Sequence, residues 1–275
     1  MWIIDDDSMY GDEYQAVIAH FNKHFTIQYK KMEKNGGPGP CRNVVLQEGK
    51  SPWITFIDDD DIFINNPLIN LMDADIIRSE VYNTQGDIHA SFDSVFNCVL
   101  GTVFKREFLE SNKLLFPSDL GVAGTEDSVF LLFALACTHQ IRHTSSFITC
   151  SKRADSNYTL SSSHEDGLGI DVLPLCNICV FINQYKNCIV NKQIVWDAFK
   201  TYFITVLQNH EKNLAPDSLK QQYLIILHLV FFQCVLELFP TSEEIKPYIK
   251  NDSNFLPYLY CAYHFCTIEN GTLYY

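Results

Sequence analysis

Trp53-Ile-Thr-Phe-Ile-Asp58-Asp59-Asp60-Asp61 is a largely apolar run followed at once by four carboxylates. Residues 53–57 predict a buried β-strand, and in α/β folds ligands bind at the carboxyl edge of the sheet. Adjacent carboxylates repel one another, and Mg²⁺ or Mn²⁺ relieves the repulsion by taking one or two of them together with phosphate oxygens. The stretch therefore predicts an α/β sheet with a divalent metal at this strand end. A solvated acidic turn is the alternative.

Two other acidic clusters support the metal hypothesis. Trp2-Ile-Ile-Asp5-Asp6-Asp7-Ser8 is a second apolar strand that ends in acids. Gly124-Thr-Glu126-Asp127-Ser128 places an acidic pair at the start of an apolar helix, where ordinary helix capping is the alternative interpretation.

The first half of the chain alternates between strand and helix patterns, which favours an α/β sheet domain with a mostly parallel core. We predict an amphipathic helix over 14–25, a loop over the Gly- and Pro-rich residues 35–40, and a helix over 41–48. A further helix is predicted over 127–137. The predicted strands are 2–4, 26–29, 53–57, 74–77, 98–104 and 146–150.

The second half has long apolar stripes at helical spacing, for example from Val195 to Leu207. We predict two domains, 1–168 and 169–275, the second of them helical, with residues 151–169 as a linker or mobile loop. The most apolar window, 223–239, is shorter than the ~20 residues that cross a bilayer. A buried core helix is the first interpretation of this window, and a helix in peripheral contact with a membrane surface is the alternative.

Composition excludes several classes of protein. The chain of 275 residues is 47% hydrophobic and 19% charged, which excludes a disordered chain. Its formal net charge of −13 argues against a nucleic-acid binder that uses a generally basic surface, although a local basic groove stays open. The acidic start predicts no secretory signal, so the ten cysteines predict reduced thiols in a cytoplasmic protein.

Taken in order, the motifs resemble those of the family 2 glycosyltransferases. Asp5-Asp6-Asp7-Ser8 matches the family's Asp-Asp-Gly-Ser, with Asp7 in place of Gly, and Ile57-Asp58-Asp59-Asp60-Asp61 matches its acidic strand end. Asn35-Gly36-Gly37-Pro38-Gly39-Pro40-Cys41-Arg42-Asn43 matches its Asn-x-Gly and Ala-Arg-Asn elements. The other matches are Gly101-Thr-Val-Phe104-Lys105-Arg106, the pair Glu126-Asp127, and Ser151-Lys152-Arg153-Ala-Asp-Ser156. The resemblance covers about residues 1–160.

The resemblance implies a GT-A fold, that is, a Rossmann-type mixed sheet, followed here by an α-helical C-terminal region. It also implies a nucleotide-diphosphate sugar donor such as a UDP-sugar, bound with Mn²⁺ or Mg²⁺. The implied metal ligands are Asp60 and Asp58, and the implied donor-binding residues are Asp6, Ser8, Arg42, Asp58, Asp59 and Arg153. Arg153 would close over the diphosphate.

By the same resemblance, Asp127 is the general base that deprotonates the acceptor hydroxyl for inverting transfer, and Glu126 orients Asp127 or the acceptor. The sequence leaves open which of the two acids is the base. The family pattern also begins with a further strand and helix, Val-Ser-Val-Ile-Ile-Pro-Thr-Tyr-Asn, with no counterpart here. The start of the protein lies upstream, another segment takes that place, or the enzyme is a pared-down variant.

Alternatives to this function remain open. The acceptor is expected to be a glycan or lipid-linked glycan, with a modified base in phage DNA as the second possibility. A non-catalytic carbohydrate- or nucleotide-binding protein on a degenerate GT-A fold is the main alternative to an enzyme, and a Mg²⁺-dependent phosphohydrolase lacks a visible nucleophile. The clusters Cys176-Asn-Ile-Cys179 and Cys261-Ala-Tyr-His264-Phe-Cys266 contain zinc-ligand residue types, but buried free thiols are expected there.

Overall fold

The computed structural model divides the chain into two compact units, Met1–His164 and Glu165–Tyr275. It describes residues 1–9, 11–59, 61–63, 73–83, 88–90, 99–118, 126–144, 149–151, 173–212, 217–249, 255–256, 259 and 262–263. The predicted ligand Asp60, the predicted lid residue Arg153 and nearly all of the predicted mobile loop over 151–169 lie outside these residues.

The first unit contains ten described strands and four described helices. The strands are β1 (Trp2–Asp5), β2 (Gln28–Lys31), β3 (Trp53–Thr55), β4 (Asp61–Phe63), β5 (Ile76–Arg78), β6 (Val81–Asn83), β7 (Ile88–Ala90), β8 (Thr102–Lys105), β9 (Ile141–His143) and β10 (Thr149–Ser151). The helices are α1 (Gly11–Phe21), α2 (Pro38–Glu48), α3 (Arg106–Ser111) and α4 (Glu126–Ala136).

The described strands form three sheets, with orders β1-β2, β3-β8-β5-β9 and β4-β10-β6-β7. Three of the described strand pairs are parallel and four are antiparallel. The predicted mixed α/β architecture is therefore confirmed, but the mostly parallel core is wrong. Strand β8 lies between β3 and β5 and runs opposite to both. The direction of a strand depends on its neighbours in the sheet, which a local apolar pattern does not reveal.

Helix α4 forms the centre of the core of the first unit. Every residue from Val129 to Ala136 is at most 3% exposed. The ring of Phe130 stacks on that of Phe116 with centroids 3.8 Å apart, and Phe56 meets Phe116 edge-on at 5.1 Å. A helix buried on all sides has little freedom to rotate or slide. The position of its first turn, which carries Glu126 and Asp127, is therefore set by the core.

Helix α2 begins inside the segment that was predicted to be a loop. Its first residue is Pro38, and Gly37 precedes it with φ at 81°. The loop prediction over 35–40 is therefore wrong for its last three residues. Proline suits the first turn of a helix because its fixed φ is already helical and its missing N–H has no intrahelical partner there. Glycine supplies the left-handed backbone that turns the chain into the helix.

The apolar side of helix α1 is less buried than its amphipathic pattern suggests. Ile18 is buried, whereas Val17, Phe21 and nearby Phe25 are 55%, 45% and 60% exposed. An open cavity of about 390 Å³ separates this helix from the first sheet. It is lined by Met1, Ile3, Val17, Ile18, Phe21, Phe25 and Ile27.

The second unit is helical in its described part, as predicted. Its helices are α5 (Leu173–Tyr185), α6 (Lys192–Lys212), α7 (Asp217–Leu238) and α8 (Ser242–Ile245), followed by a 3₁₀ turn over Lys246–Tyr248. Trp196 is fully buried there among aromatic rings of Phe199, Phe231, Phe239 and Phe255.

Helix α7 contains all but the last residue of the apolar window 223–239. Leu227, Phe231 and Cys234 are buried, which supports the core-helix interpretation, while Ile225 and Ile226 are exposed. Among the described helices, none is by itself long and apolar enough to span a membrane. One pair bent by 89°, Leu224–Leu238 with Ser242–Tyr248, meets the length and composition requirement together.

Candidate active site

The acidic end of strand β3 forms one side of the candidate site. Strand β3 ends at Thr55, and three residues later the chain turns, where the N–H of Asp61 donates to the carbonyl of Asp58 at 3.1 Å. The side chain of Asp58 is 55% exposed, and one of its oxygens accepts from Arg42 at 2.8 Å. Asp59 is exposed. Two predicted ligand-binding carboxylates therefore face solvent at this strand end.

Arg42, on helix α2, joins this strand end to helix α4. Its guanidinium donates to Asp58 at 2.8 Å and to Glu126 at 3.0 Å, and it lies over the ring of Phe116 at 5.4 Å. Burial lowers the pKa of Arg42, but the charges of Asp58, Asp127 and Glu126 outweigh that effect and hold the pKa above its usual value. Arg42 is therefore a permanent positive charge among three carboxylates.

Glu126 and Asp127 form the first turn of α4. The side chain of Glu126 is 15% exposed and paired with Arg42. One oxygen of Asp127 accepts the N–H of Ser128 at 2.8 Å. Burial and the neighbouring Glu126 raise the pKa of Asp127 to about 6, against the opposing effects of Arg42 and the Ser128 hydrogen bond. This carboxylate is thus a stronger base than an ordinary aspartate and is still mostly ionised at neutral pH.

Asp6 holds the loop that leads into α2. One of its oxygens accepts the N–H of Gly36 and the other that of Gly37, each at 2.8 Å. The side chain of Asn35 donates to the carbonyl of Asp6 at 3.1 Å. Burial and the adjacent Asp6 raise the pKa of the Cys41 thiol to about 12, so this cysteine stays protonated. In this structure, the direct contribution of Asp6 is to shape the Gly-rich loop.

Asp5 and Ser8 form the turn after strand β1. The N–H of Ser8 and the hydroxyl of Tyr29 donate to the two oxygens of Asp5 at 2.7 and 2.6 Å. Burial acts to raise the pKa of Asp5, but these hydrogen bonds and the charge of Lys31 lower it overall. Asp7, which stands where the family pattern has Gly, has a φ of 63°. The family's glycine therefore coincides with a left-handed backbone position, which aspartate tolerates better than most residues.

Arg106 and Asn43 anchor helix α2, which carries Arg42. The sequence predicted no functional role for either residue. Arg106 donates to the carbonyls of Ser51, Leu46 and Val45 at 2.7, 2.8 and 3.2 Å, so it caps the end of α2. Asn43 donates to the carbonyl of Phe116 at 2.9 Å and accepts its N–H at 2.8 Å. The sequence signal that could have identified both residues is their presence in the family motifs over 35–43 and 101–106.

The residues present are compatible with Mg²⁺ or Mn²⁺ that is shared with a phosphate ligand. In the described part of the chain, no three His, Cys, Asp or Glu side chains form a metal-holding group. A magnesium ion bound with a nucleotide needs only one or two carboxylates and completes its shell with phosphate oxygens and water. The exposed Asp58, followed by Asp59 and Asp60, matches that requirement.

The first cysteine cluster, on α5, gives no support for zinc among the described residues. Cys176 and Cys179 on α5 and Cys234 on α7 are free thiols, and the thiols of Cys179 and Cys234 are hydrogen-bonded. They form no metal-holding group within the described residues, while the second cluster, Cys261, His264 and Cys266, lies outside them.

Comparison with known proteins finds a glycosyltransferase family that matches the first part of the chain. Residues 1–127 match the profile of "Glycosyl transferase family 2", and this segment ends at Asp127. The first part of the chain is thus similar to the family 2 glycosyltransferases, which is the resemblance that its motifs indicated.

Two curated relatives match about half of the chain. The poly(ribitol-phosphate) beta-N-acetylglucosaminyltransferase TarS of Staphylococcus aureus strain Mu50 is 22% identical over 161 residues, which are 50% of this chain and 27% of TarS. A poly(ribitol-phosphate) beta-glucosyltransferase of Bacillus spizizenii is 26% identical over 153 residues, which are 48% of this chain and 24% of the relative. The alignments thus span about a quarter of the length of these curated relatives.

Solved structures show the same fold over more of the chain. The crystal structure of S. aureus TarS 1–349 superposes with a TM-score of 0.63 at 16% identity, covering 90% of this chain and 79% of that one. Its complex with UDP-GlcNAc gives a TM-score of 0.54 at 16% identity, with coverage of 90% and 82%. This likeness confirms the predicted fold class, including the helical region after the α/β domain.

Proposed function

We propose that the protein is a metal-dependent, inverting glycosyltransferase that moves a sugar from a nucleotide-diphosphate donor to an acceptor hydroxyl. The observation that carries this proposal is the ion-paired bridge from the acidic strand end, through Arg42, to the turn that bears Asp127. The match of residues 1–127 to a glycosyltransferase family supports the reaction class.

Asp127 is the proposed general base. It removes the proton of the acceptor hydroxyl as the oxygen attacks the anomeric carbon, while the bond to the diphosphate breaks and the nucleoside diphosphate leaves. A pKa near 6 suits this task, because the carboxylate is ionised at pH 7 yet more basic than usual. Glu126, held by Arg42, orients the turn.

The donor is proposed to be a UDP-sugar. One solved structure of the same fold contains UDP-GlcNAc, and the names of both curated relatives specify beta-linked products. A donor with an α bond to its diphosphate gives a β product when the attack inverts the anomeric carbon. The residues proposed to surround the donor are Asp6, Ser8, Asp58, Asp59 and Arg153.

Asp58 and Asp60 are the proposed ligands for Mn²⁺ or Mg²⁺. When bound, the ion would neutralise the charge that develops on the leaving diphosphate. The protein supplies the exposed carboxylate of Asp58 at the end of β3, which Arg42 holds by one oxygen.

The acceptor is proposed to be a glycan-type polymer with free hydroxyl groups. Poly(ribitol-phosphate) is the first candidate because both curated relatives act on it by name. It is a polyanion like DNA, so the net charge of −13 counts against both. Neutral glycans and lipid-linked glycans therefore belong in the same test, together with hydroxymethylated DNA.

The non-catalytic alternative retains a specific observation in its favour, namely the open apolar cavity beside β1 and α1. Against it stands the raised pKa of Asp127, since a binding protein needs no buried base. We also propose a cytoplasmic location, because the described cysteines are free thiols.

The decisive experiment is a donor screen. The protein is incubated with UDP- and GDP-sugars, each with Mn²⁺, Mg²⁺ or EDTA, and release of the nucleoside diphosphate is measured with and without the acceptor panel. We expect metal-dependent release from a UDP-sugar, stimulated by one acceptor class. Asp60→Ala should lose the metal dependence, whereas Glu107→Ala, at a remote surface position, should not. Donor binding without any release under all conditions would favour the non-catalytic alternative.

A further inference from the structure

The geometry of Arg42 differs from that of a residue free to hold a nucleotide. Two separate nitrogens of its guanidinium are used, one for Asp58 at 2.8 Å and the other for Glu126 at 3.0 Å. The Cζ atom of Arg42 lies over the ring of Phe116, 5.4 Å from its centroid, and the residue is 9% exposed. Both terminal nitrogens of this group are thus paired within the protein itself.

Helix α2 delivers Arg42 to this position with little freedom. A Cβ added at Gly39 would lie 2.6 Å from the carbonyl of Pro117 and 3.3 Å from Cγ of Glu126, so only glycine permits this approach. One turn later, the two hydrogen bonds of Asn43 tie the helix to Phe116. Because the helix packs so closely on the turn of α4, a movement of Arg42 would displace Glu126 as well.

The position of Arg42 affects the charge balance at Asp127. Among the described residues, Glu126 on its own helix and Asp58 after β3 oppose its negative charge, while Arg42 from α2 favours it. The positive charge of Arg42 therefore offsets the repulsion between the adjacent carboxylates of Glu126 and Asp127.

We propose that Arg42 is a positioning residue for the proposed sugar transfer: by pairing with Glu126 and Asp58 together, it holds the first turn of α4, and with it Asp127, at the acidic end of β3. This role rests on the proposed function and differs from the nucleotide-pocket role that the family resemblance implies. A single side chain, Arg42, then fixes the position of the base Asp127 relative to Asp58 on the donor side.

The rate of sugar transfer would depend strongly on this relative position, whereas the affinity for the donor would depend on it less. A misplacement of about 1 Å can cost roughly 10²-fold in rate. Arg42→Met keeps an unbranched side chain but loses both ion pairs, so kcat should fall on the order of 10- to 100-fold with KM for the donor changed less than threefold. Arg42→Lys keeps the charge without the planar fork and should recover only part of the loss.

Asn43→Ala is the matched control, because it loosens the same helix at the next residue without changing a charge. It should lower the stability of the protein while leaving the pH dependence of kcat in place. In Arg42→Met, by contrast, the acid limb of the kcat profile should move upward by at least about one pH unit, since the favourable charge near Asp127 is gone.

A second readout needs no enzymatic activity. In protein labelled with ¹³C at aspartate carboxyl carbons, NMR titration follows Asp127, assigned with Asp127→Asn. An upward shift of its midpoint in Arg42→Met, partly reversed in Arg42→Lys and absent in Asn43→Ala, would support the positioning role even if no donor is ever turned over. Should Arg42→Met not fold, Arg42→Lys against the parent protein gives the same comparison.

The proposal is overturned if the Asp127 midpoint and kcat are unchanged in the Arg42 variants. It is also overturned if those variants raise KM for the donor at constant kcat, which would assign Arg42 to the nucleotide. Failure of the parent protein to turn over any donor would remove the proposed function, while the titration would still decide whether Arg42 governs Asp127.

Discussion

The carboxylate of Asp6 accepts the backbone N–H of Gly37 at 2.8 Å, although 31 residues separate the two. Its second oxygen takes the N–H of Gly36 at the same distance. The turn after the first strand thereby shapes the loop from which α2 starts. The same helix carries Arg42, which pairs with Glu126 beside Asp127. The contact of Asp6 therefore helps to position the residues around Asp127.

Replacing Asp6 should therefore destabilise the fold. Asp6→Ala leaves two backbone N–H groups without their charged acceptor, and we expect a loss of about 1–3 kcal/mol in the free energy of unfolding. Asp6→Asn keeps one side-chain oxygen and should lose less. Denaturant unfolding checks both, with Glu107→Ala as a surface control expected within about 0.5 kcal/mol of the parent. Equal stability of Asp6→Ala and the parent would contradict the role of this clamp.

The left-handed backbone of Asp7 gives a second stability prediction. With φ at 63°, a side chain with a Cβ is strained, and Asp7→Gly should be more stable than Asp7→Ala by about 1 kcal/mol. Both variants lose the 3.6 Å contact with Lys31, so that loss cancels in the comparison. Thermal and denaturant unfolding of the two variants measure the difference. If Asp7→Ala were the more stable of the two, the backbone at this position would not be left-handed.

Kinetics of the acidic pair should separate the base from its neighbour. Asp127→Asn keeps the shape of the side chain and removes its basicity, so transfer at saturating donor should fall roughly 10²- to 10⁴-fold while donor affinity is retained. Glu126→Gln should lose less, because the amide still accepts a hydrogen bond from Arg42. A larger loss in Glu126→Gln would reverse the two assignments, and parental transfer by Asp127→Asn would show that Asp127 is not the base.

The raised pKa of Asp127 also predicts how stability depends on pH. Its value of about 6 lies above the usual aspartate value of 3.8, so between these limits the unfolded chain has released a proton that the folded protein retains. The free energy of unfolding therefore falls as pH rises through this window. Asp127→Asn removes the effect and should be more stable than the parent at pH 7, on the order of 1–3 kcal/mol.

Below about pH 4 the parent and Asp127→Asn should converge, since both carry a neutral side chain there. Glu126→Gln is the contrasting variant, because it weakens an ion pair of buried Arg42 and should destabilise the protein at neutral pH. Denaturant unfolding at several pH values measures all three. A constant stability difference between the parent and Asp127→Asn across the range would show that Asp127 titrates normally.

Local sequence was sufficient for the features that depend on neighbouring residues along the chain. The apolar run of 53–57 followed by carboxylates gave a strand with its acidic end, and the run after Glu126 gave a buried helix. The order of these motifs was enough to indicate the family whose model residues 1–127 match. Each of these inferences follows from side-chain periodicity or from capping chemistry, which act over a few residues.

Tertiary structure decided what depends on partners distant in sequence. Strand β8 lies between β3 and β5 and is antiparallel to both, so the sheet is mixed. The apolar pattern of β8 alone did not distinguish a parallel from an antiparallel strand. Arg42 meets a carboxylate 84 residues away, and burial between these elements raises the pKa of Asp127. A sequence lists which charges exist, but their energies depend on distance and on exclusion of water, and both of these come from packing.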